Sequence, residues 1–325
     1  MYDIITIGDA TLDTFLIIDE ATVLCDLERD NCKLCINYAD KIPIKKTAQS
    51  VGGNAANVAI GCQRAGHKCA IVTEIGDDLN GFMVREEIQK NKVSDKLVKT
   101  IKNGETRYAV VLNYKGERTI LSYYSKRNYS WPKLPATKFI YYSSLGETFE
   151  NIQNKLIAHL KKNPQTRLVV NPGSYQTRSG LKEFKKIFPH TDIIFMNREE
   201  ALRITGSDKN DLKSLAMAIR KLGAKTTVIT DGANGSLAMN AEETVALSSY
   251  PTDIVDKTGA GDAFASGFIS AMLHGLDLSQ AVRWGTANST AVIAKIGAQA
   301  GLLNHTEILK MIRKNEKIKP QINKV

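Results

Sequence analysis

The chain has 325 residues, of which 43% are hydrophobic and 24% are charged, a composition typical of a globular protein with one large core. Its formal net charge of +10 comes from scattered lysines and arginines without a basic stripe or interleaved aromatic residues, so no nucleic-acid partner is expected. No apolar run approaches the ~18 residues of a membrane span, and no signal-like segment begins the chain, so we expect a cytoplasmic protein without a membrane partner.

The amino-terminal segment predicts the first strand of an α/β sheet. Asp3–Gly8 is a short β-branched run that ends in glycine. Asp9 and Asp13 follow it, and the ligands of α/β sheets gather at the carboxyl ends of strands. Both aspartates are therefore site candidates, although ordinary turn chemistry is the alternative for Asp13.

Three of the five cysteines, Cys25, Cys32 and Cys35, form a local cluster. An odd number of cysteines fits a reducing compartment better than a disulfide framework. Zinc binding by three thiolates is the alternative, but a structural zinc site needs a fourth ligand that the stretch does not supply. We therefore expect free thiols here.

A glycine-rich turn at Gly52 and Gly53 precedes a helix predicted over Ala55–Ala65. Two glycines let the backbone come close to a ligand, and the amides of Asn54 and Asn57 offer donors and acceptors to hydroxyl groups. These residues are predicted to bind substrate; a glycine turn capped by asparagine is the alternative.

The middle of the chain alternates between strands and helices. This alternation predicts one α/β domain over residues 1–325, a doubly wound, mostly parallel sheet flanked by helices. The predicted strands are Cys69–Thr73, Phe139–Ser143, Leu168–Asn171, Ile193–Asn197 and Thr226–Thr230, and the predicted helices are Leu79–Lys90, Ile152–Lys161 and Asp211–Leu222.

Two turns in this region follow predicted strands. Asn197 stands at a helix cap with Glu200 one turn inside, a common capping arrangement with acid in the first turn. Thr230, Gly232 and Gly235 lie in a connection that reads as a hairpin into Ser236–Met239.

The stretch around Gly259 predicts an anion site. Small residues lead into a helix predicted over Asp262–His274, so the backbone N–H groups of Gly259, Ala260 and Gly261 are free to meet a phosphate. The Asp262 carboxylate at this entrance is placed to take a proton from an attacking hydroxyl, and phosphoryl transfer requires little more than such positioning. An ordinary N-cap is the alternative.

In Val51–Ala59 with Arg64–Gly66, and again in Asp256–Asp262, the chain resembles two signatures of one family, the ribokinase-like, or PfkB, family of sugar and nucleoside kinases. The resemblance covers nearly the whole chain, because the two signatures stand in the right order about two hundred residues apart. They are Val51-Gly52-Gly53-Asn54-Ala55-Ala56-Asn57-Val58-Ala59 with Arg64-Ala65-Gly66, and Asp256-Lys257-Thr258-Gly259-Ala260-Gly261-Asp262.

The resemblance implies a ribokinase-like fold in which a small β lid crosses the sugar site. Residues 14–50 and 104–126 resemble this lid, and the second range holds two strand-like runs around the turn 114–117. An aspartate in the position of Asp13 typically binds two sugar hydroxyls in this family. A homodimer formed through the lid is a further implication.

The family pattern also implies a nucleotide side of the site. Asn197 and Glu200 match a motif linked to hydrated Mg²⁺ and phosphate, and Mg²⁺ tends to keep its waters. The other implied contacts are Thr230, Gly232 and Gly235 beside the nucleotide phosphates, Asn288 near the adenine, and Asp256 with Thr258 at a possible K⁺.

The expected function is ATP-dependent transfer of the γ-phosphoryl group to a sugar hydroxyl, with Asp262 as general base and Mg²⁺ bridging phosphates. A nucleoside acceptor is the alternative, with Tyr108, Tyr123 and Tyr124 available to stack on a base. A phosphosugar kinase, with Arg118, Lys126 and Arg127 as candidate phosphate contacts, and a catalytically silent small-molecule binder also remain open. One residue departs from the family pattern: Lys257 stands where threonine is usual.

Overall fold

The computed structural model describes residues 1–26, 32–115, 117–178 and 180–325. Its strands are β1 Tyr2–Ile7, β2 Thr11–Ile18, β3 Thr22–Cys25, β4 Cys32–Cys35, β5 Ile44–Gly52, β6 Cys69–Gly76, β7 Val98–Ile101, β8 Tyr108–Tyr114, β9 Glu117–Tyr123, β10 Thr137–Tyr142, β11 Arg167–Val170, β12 Ile193–Asn197, β13 Thr226–Thr230, β14 Ser236–Met239, β15 Glu243–Leu247 and β16 Gln321–Lys324. Its α-helices are α1 Asn54–Arg64, α2 Leu79–Lys90, α3 Phe149–Lys162, α4 Ser174–Arg178, α5 Leu181–Phe184, α6 Arg198–Thr205, α7 Leu212–Lys221, α8 Ala260–Leu273, α9 Leu278–Ile293 and α10 His305–Lys314.

Ten strands form one large sheet in the order β16-β15-β14-β13-β12-β11-β10-β1-β6-β7. The seven strands from β13 to β7 pair in parallel, and β14, β15 and β16 continue the sheet as antiparallel neighbours. The predicted mostly parallel sheet is confirmed. Because the parallel strands all point one way, the residues that follow β1, β10, β11, β12 and β13 meet along one edge of the sheet.

Neighbouring residues of the central strands face opposite sides of the sheet, and each side has its own apolar core. Ile4 packs into the core beneath α1, α8 and α9, whereas Ile5 packs into the core beneath α3, α6 and α7. Both faces of the parallel strands are thus buried, which explains why these strands read as continuous apolar runs. The fold is doubly wound.

Four strands form a second, small sheet in the order β5-β2-β8-β9. We call this four-stranded sheet the small sheet. Its strands fall largely within the two ranges predicted for the lid, with β2 beginning at Thr11 and β5 ending at Gly52. Of those ranges, residues 27–31 and Gly116 in the predicted turn lie outside the described residues. The division into one domain with a lid stays a prediction.

The expectation of free thiols is wrong for two of the three clustered cysteines. Strands β3 and β4 form an antiparallel hairpin in which Cys25 and Cys32 are directly paired, and a disulfide joins them. Direct cross-strand pairing brings the two Cβ atoms close enough for a disulfide bond. Composition and an odd cysteine count do not reveal this hairpin register. Cys35, Cys62 and Cys69 are free.

Within the part of the chain that the structure describes, no helix is both long enough and apolar enough to cross a bilayer.

Candidate functional site

One cavity of about 820 Å³ lies between the carboxyl edge of the large sheet and the small sheet. It brings together most of the site residues predicted from the sequence. Those that line it are Asp13, Gly53, Asn54, Asn57, Asn197, Glu200, Thr230, Gly232, Gly235, Thr258, Gly259, Ala260, Gly261 and Asp262. Gly52, Asp256 and Asn288 do not line it.

Asp13 lies on β2, so the small sheet carries it to the cavity. Its Oδ1 atom accepts a 2.7 Å hydrogen bond from the Thr11 hydroxyl. Burial raises the pKa of Asp13 to about 6, and the negative charge of Asp256 adds to the rise while the Thr11 bond opposes it. A desolvated carboxylate with one donor has lone pairs left for ligand hydroxyls.

Glycine is required at positions 52 and 53 because the backbone there passes too close to Asp13 and Asp9 to leave room for a side chain. A Cβ atom at Gly52 would lie 2.1 Å from Asp13 Oδ2. Gly53 precedes α1 with φ of 90°, and a Cβ atom there would lie 2.3 Å from the Asp9 carbonyl oxygen. The backbone therefore packs against the Asp13 carboxylate, and Gly53, not an asparagine, occupies the N-cap of α1.

Asn57 on α1 links the glycine turn to Asp262 on α8. The Asn57 Nδ2 atom donates a 2.8 Å hydrogen bond to Asp262 Oδ2. The Asn57 Oδ1 atom in turn accepts a 2.9 Å bond from Gln299 Nε2, which fixes the amide with its NH₂ group toward the carboxylate. Sequence reasoning did not single out Gln299.

Asp262 lies in the first turn of α8, as predicted, and its carboxylate is buried at the cavity wall. Burial raises the pKa of Asp262 to about 6; the Asn57 hydrogen bond lowers it and the charge of Asp13 raises it. A carboxylate with a pKa nearer to neutrality is a stronger base than an ordinary aspartate but stays ionised at pH 7.

The loop before α8 is held in shape by Asp256. Its Oδ1 atom accepts hydrogen bonds from the backbone N–H and hydroxyl of Thr258, and its Oδ2 atom accepts one from the Gly297 N–H. Gly259 follows in the left-handed conformation, with φ of 76°, and no side chain caps the start of α8 among the described residues. The Ala260 N–H donates a 3.3 Å hydrogen bond to the Lys257 carbonyl, so the N–H of Gly261 is the predicted group that this helix start leaves for an anion at the cavity.

Asn197 and Glu200 form a reciprocal capping box at the start of α6. The Asn197 side chain accepts from the Glu200 N–H, and the Glu200 carboxylate accepts from the Asn197 N–H. Desolvation raises the pKa of Glu200 to about 7, and the charge of Asp262 contributes. Both residues thus have a structural role and also line the cavity.

The turn after β13 brings Thr230, Gly232 and Gly235 to the cavity. A short 3-10 segment, Gly232–Asn234, lies between β13 and β14. A Cβ atom at Gly235, where φ is 95°, would lie 2.1 Å from the Leu247 carbonyl oxygen. The predicted hairpin connection is confirmed.

Asn288 is buried in α9 and does not reach the cavity. Its amide donates to the Ala263 carbonyl and the Ser266 hydroxyl and accepts from the Leu303 N–H. These bonds join α8, α9 and the segment after it. The neighbouring residues Ser289 and Thr290 line the cavity instead.

A buried polar network at the cavity was not predicted. Arg107 forms an ion pair with Asp9 and stacks 3.6 Å from the centre of the Tyr124 ring. Tyr129 donates a 3.1 Å hydrogen bond to Asp9 Oδ1 and accepts one from the Gly146 N–H. The sequence indicated Asp9 and Tyr124 separately but not Arg107 or Tyr129, because the network joins residues from distant strands and loops.

A family model described as "pfkB family carbohydrate kinase" matches residues 14–305. The chain is 25% identical over 324 residues to an ATP-dependent 6-phosphofructokinase of Thermoanaerobacterium thermosaccharolyticum, covering 91% of this chain and 89% of the relative. It is 24% identical over 289 residues to a nucleoside kinase of Methanothermobacter thermautotrophicus, covering 85% and 91%.

Solved structures agree on the fold. The structure of Arabidopsis thaliana ribokinase complexed with ribose and ATP superposes with a TM-score of 0.77 at 21% identity, covering 96% of this chain and 99% of that chain. Ribokinase-family structures thus share the large sheet and its flanking helices with this chain, so the ribokinase-like fold is confirmed.

Proposed function

This chain belongs to the pfkB family of carbohydrate kinases, and on that premise we propose that it transfers the γ-phosphoryl group of ATP to a sugar hydroxyl, with Asp262 as general base. Members of the family are phosphotransferases with hydroxyl acceptors, so the chain is a sugar or nucleoside kinase. The choice of a sugar and the roles of individual residues are the proposal.

The observation that carries the proposal is the position of Asp262. Its carboxylate lines the cavity at the first turn of α8, is held by Asn57, and has a pKa raised to about 6. An acceptor hydroxyl beside it would give up its proton as the oxygen attacks phosphorus. The adjacent N–H group of Gly261 would bind the charge on the transferred group.

Glu200 and its surroundings fit a hydrated Mg²⁺ ion. The carboxylate is desolvated, lines the cavity, and shares its neighbourhood with the negative charge of Asp262. A nearby cation would reduce the repulsion between these negative charges. When bound, Mg²⁺ would also neutralise negative charge on the phosphates of the donor nucleotide. We propose that Glu200 holds the ion through water, next to the capping Asn197.

The remaining nucleotide contacts are proposed from the cavity lining. Thr230, Gly232 and Gly235 would lie beside the phosphates. Ser289 and Thr290 line the cavity and are better placed than Asn288 to contact the adenine. The Asn288 side-chain amide is buried and already hydrogen-bonded to the protein through both its nitrogen and its oxygen. A K⁺ ion at Asp256 and Thr258 stays a prediction, since the Asp256 carboxylate already organises the loop.

Polar groups at the acceptor end of the cavity favour a sugar over a nucleoside. Of the three tyrosines that could stack on a base, Tyr124 already has its ring against Arg107, whereas the hydrogen bonds of Tyr108 to Thr14 and of Tyr123 to Glu105 engage only the hydroxyl groups. Carboxylate and amide groups suited to several hydroxyls line the same end. They are Asp13, Asn54 and Asn171, whereas the Asn57 amide is held by Asp262 and Gln299 and the Asp9 carboxylate by Tyr129 and Arg107.

A phosphosugar acceptor is less well supported. Of its three candidate phosphate contacts, Arg118 lines the cavity, whereas Arg127 is buried and donates to the Glu105 carbonyl. Lys126 is exposed and lies outside the cavity lining. Arg107 is neutralised by Asp9.

We further propose that two copies associate through the outer face of the small sheet. β9 is an edge strand of that sheet, and Leu121 on it is 55% exposed opposite Val110 of β8. Apolar residues on an exposed edge strand are a usual site of sheet association.

An acceptor panel tests the proposed function. ATP consumption is measured with Mg²⁺ and with ribose, fructose, their phosphates, adenosine or cytidine as acceptor. The proposal expects the highest kcat/KM on a neutral sugar. Turnover confined to nucleosides would overturn the choice of sugar, and turnover on none of these acceptors would contradict the kinase proposal.

A further inference from the structure

Lys257 forms an ion pair that connects the loop before α8 to the small sheet. Its Nζ atom lies 2.7 Å from Oε1 of Glu117, the first residue of β9. The pair therefore joins the cavity-lining Lys257 to the beginning of β9, at a residue 140 positions away in the sequence. Neither the family resemblance nor the proposed chemistry assigns a role to a lysine in this position.

The ion pair is too exposed to be a strong structural bond. The side chains of Lys257 and Glu117 are 47% and 77% exposed. Exposed pairs of this kind contribute between nothing and about 1 kcal/mol. A ligand with a higher negative charge can therefore replace the Glu117 carboxylate as the partner of the Lys257 ammonium group.

Lys257 also lies where such a ligand would be bound. It lines the cavity together with Gly259, Ala260 and Gly261. Its carbonyl oxygen accepts a hydrogen bond from the Ala260 N–H, so Lys257 begins the same turn that presents the N–H groups of α8. An ammonium group on a flexible stem beside a helix start is a common way to bind phosphate.

We propose that Lys257 is a phosphate-binding residue for the nucleotide and that Glu117 competes with the nucleotide for it. The inference rests on the proposed ATP-dependent function and adds to it a determinant of donor affinity. When ATP binds, the Lys257 ammonium exchanges the Glu117 carboxylate for a phosphate oxygen. Glu117 then lowers the affinity for ATP, whereas Lys257 raises it.

Substitutions of Lys257 and Glu117 should change the affinity for ATP in opposite directions. A latch, meaning an ion pair that only holds the loop to the small sheet, would give the same loss for both. Lys257→Thr, which introduces the residue usual in the family, should raise the Kd for ATP about tenfold. Glu117→Gln frees the lysine and should lower the Kd for ATP by a factor of about two to five, the range expected for a weak exposed pair. In the double variant the benefit of Glu117→Gln should vanish, because no lysine is left to free.

Calorimetric titration with MgATP and with adenosine, without an acceptor, measures these affinities. The Kd for adenosine should stay unchanged in all variants, because adenosine carries no phosphate. Lys45→Thr is the matched control, since it breaks another exposed ion pair, with Asp19 in the segment after β2. It should leave both affinities as in the wild type.

Two results would overturn the inference. Equal losses of ATP affinity in Lys257→Thr and Glu117→Gln would identify a latch between loop and sheet. Unchanged affinity in Lys257→Thr would show that the lysine does not touch the nucleotide. Either result leaves the kinase proposal intact if the wild type binds MgATP, whereas failure of the wild type to bind MgATP would overturn both.

Discussion

At the scale of single residues, the cost of burying Asp262 is a measurable property of the site. Burial raises its pKa from 3.8 to about 6, so the folded protein holds this proton more tightly than the unfolded chain. Stability is therefore lost as the pH rises between these two values, and it stays lost above pH 6. A buried carboxylate of this kind is a typical cost of a functional site.

Asp262→Asn should remove that cost. The free energy of unfolding should rise by about 2 to 3 kcal/mol at pH 8 and by less than about 1 kcal/mol at pH 4, where the carboxylate is protonated in the folded state and only about half ionised in the unfolded state. Urea unfolding at the two pH values measures the difference. Asp40→Asn, at an exposed position, is the control and should behave like the wild type. A variant no more stable than the wild type at pH 8 would contradict the raised pKa.

Asn57 should control the pH at which the base becomes active. In the wild type, kcat/KM should fall as the pH decreases through about 6, because Asp262 must be ionised to accept the proton. Asn57→Leu removes a donor that stabilises the ionised carboxylate, so this acid limb should move up by about one to two pH units. The measurement is kcat/KM for the acceptor between pH 5 and pH 9.

Asn54→Ala provides the control for this shift. Asn54 lines the same cavity, but its amide oxygen accepts from the Ser144 hydroxyl. Its substitution should lower kcat/KM without moving the acid limb. An acid limb that stays in place in Asn57→Leu would mean that Asp262 is not the group being titrated.

At the scale of elements, the start of α8 contains two glycines with different requirements. Gly259 has φ of 76°, and a Cβ atom there would lie 2.4 Å from Ala298 Cβ. Gly261 is already helical, and a Cβ atom there would meet no atom within 4 Å. One glycine is needed for the fold of the turn, and the other leaves space at the cavity.

The same substitution at these two positions should therefore have different results. Gly259→Ala should lower the free energy of unfolding by about 2 kcal/mol, from backbone strain and the clash. Gly261→Ala should leave stability unchanged or slightly higher, but its methyl group would displace the transferred phosphoryl group and lower kcat roughly 10²-fold. Thermal unfolding and steady-state kinetics measure the two effects. Full activity in Gly261→Ala would contradict the proposed phosphate cradle.

Most elements could be predicted from the sequence because each is encoded locally. Strands buried on both faces are apolar runs, so Ile193–Asn197, Thr226–Thr230 and Ser236–Met239 have the predicted bounds. Strand β16, Gln321–Lys324, was missed because its residues are polar and exposed. Its pairing with β15 depends on tertiary structure that no local pattern contains.

At the scale of the whole molecule, the site residues that could be predicted from the sequence are those that lie in short motifs. The glycine turn at 52–57 and the helix start at 259–262 each contain their chemistry within a few residues. Contacts between distant segments could not be predicted: Gln299 and Asn57 are 242 positions apart, and Arg107 meets Asp9 only when β1 and β8 are in place. Long-range geometry leaves no trace in residue spacing.

Association of two copies is a prediction at this scale. Leu121→Lys places a charge on the outer face of the small sheet and should convert a dimer into monomers in sedimentation equilibrium. Ile322→Lys is the control, because Ile322 is similarly exposed, at 54%, on the edge strand β16 of the large sheet. A wild-type protein that sediments as a monomer, or a Leu121→Lys variant that stays dimeric, would contradict the proposed interface.

The turnover of Asp262→Asn with MgATP and the best acceptor of the panel tests the central claim most directly. We expect kcat to fall by about 10²- to 10⁴-fold, the range of general acid–base catalysis, while the Kd values for ATP and acceptor change little. The fold should persist, because an asparagine can still accept the Asn57 hydrogen bond. A variant that turns over at the wild-type rate would show that Asp262 is not the base.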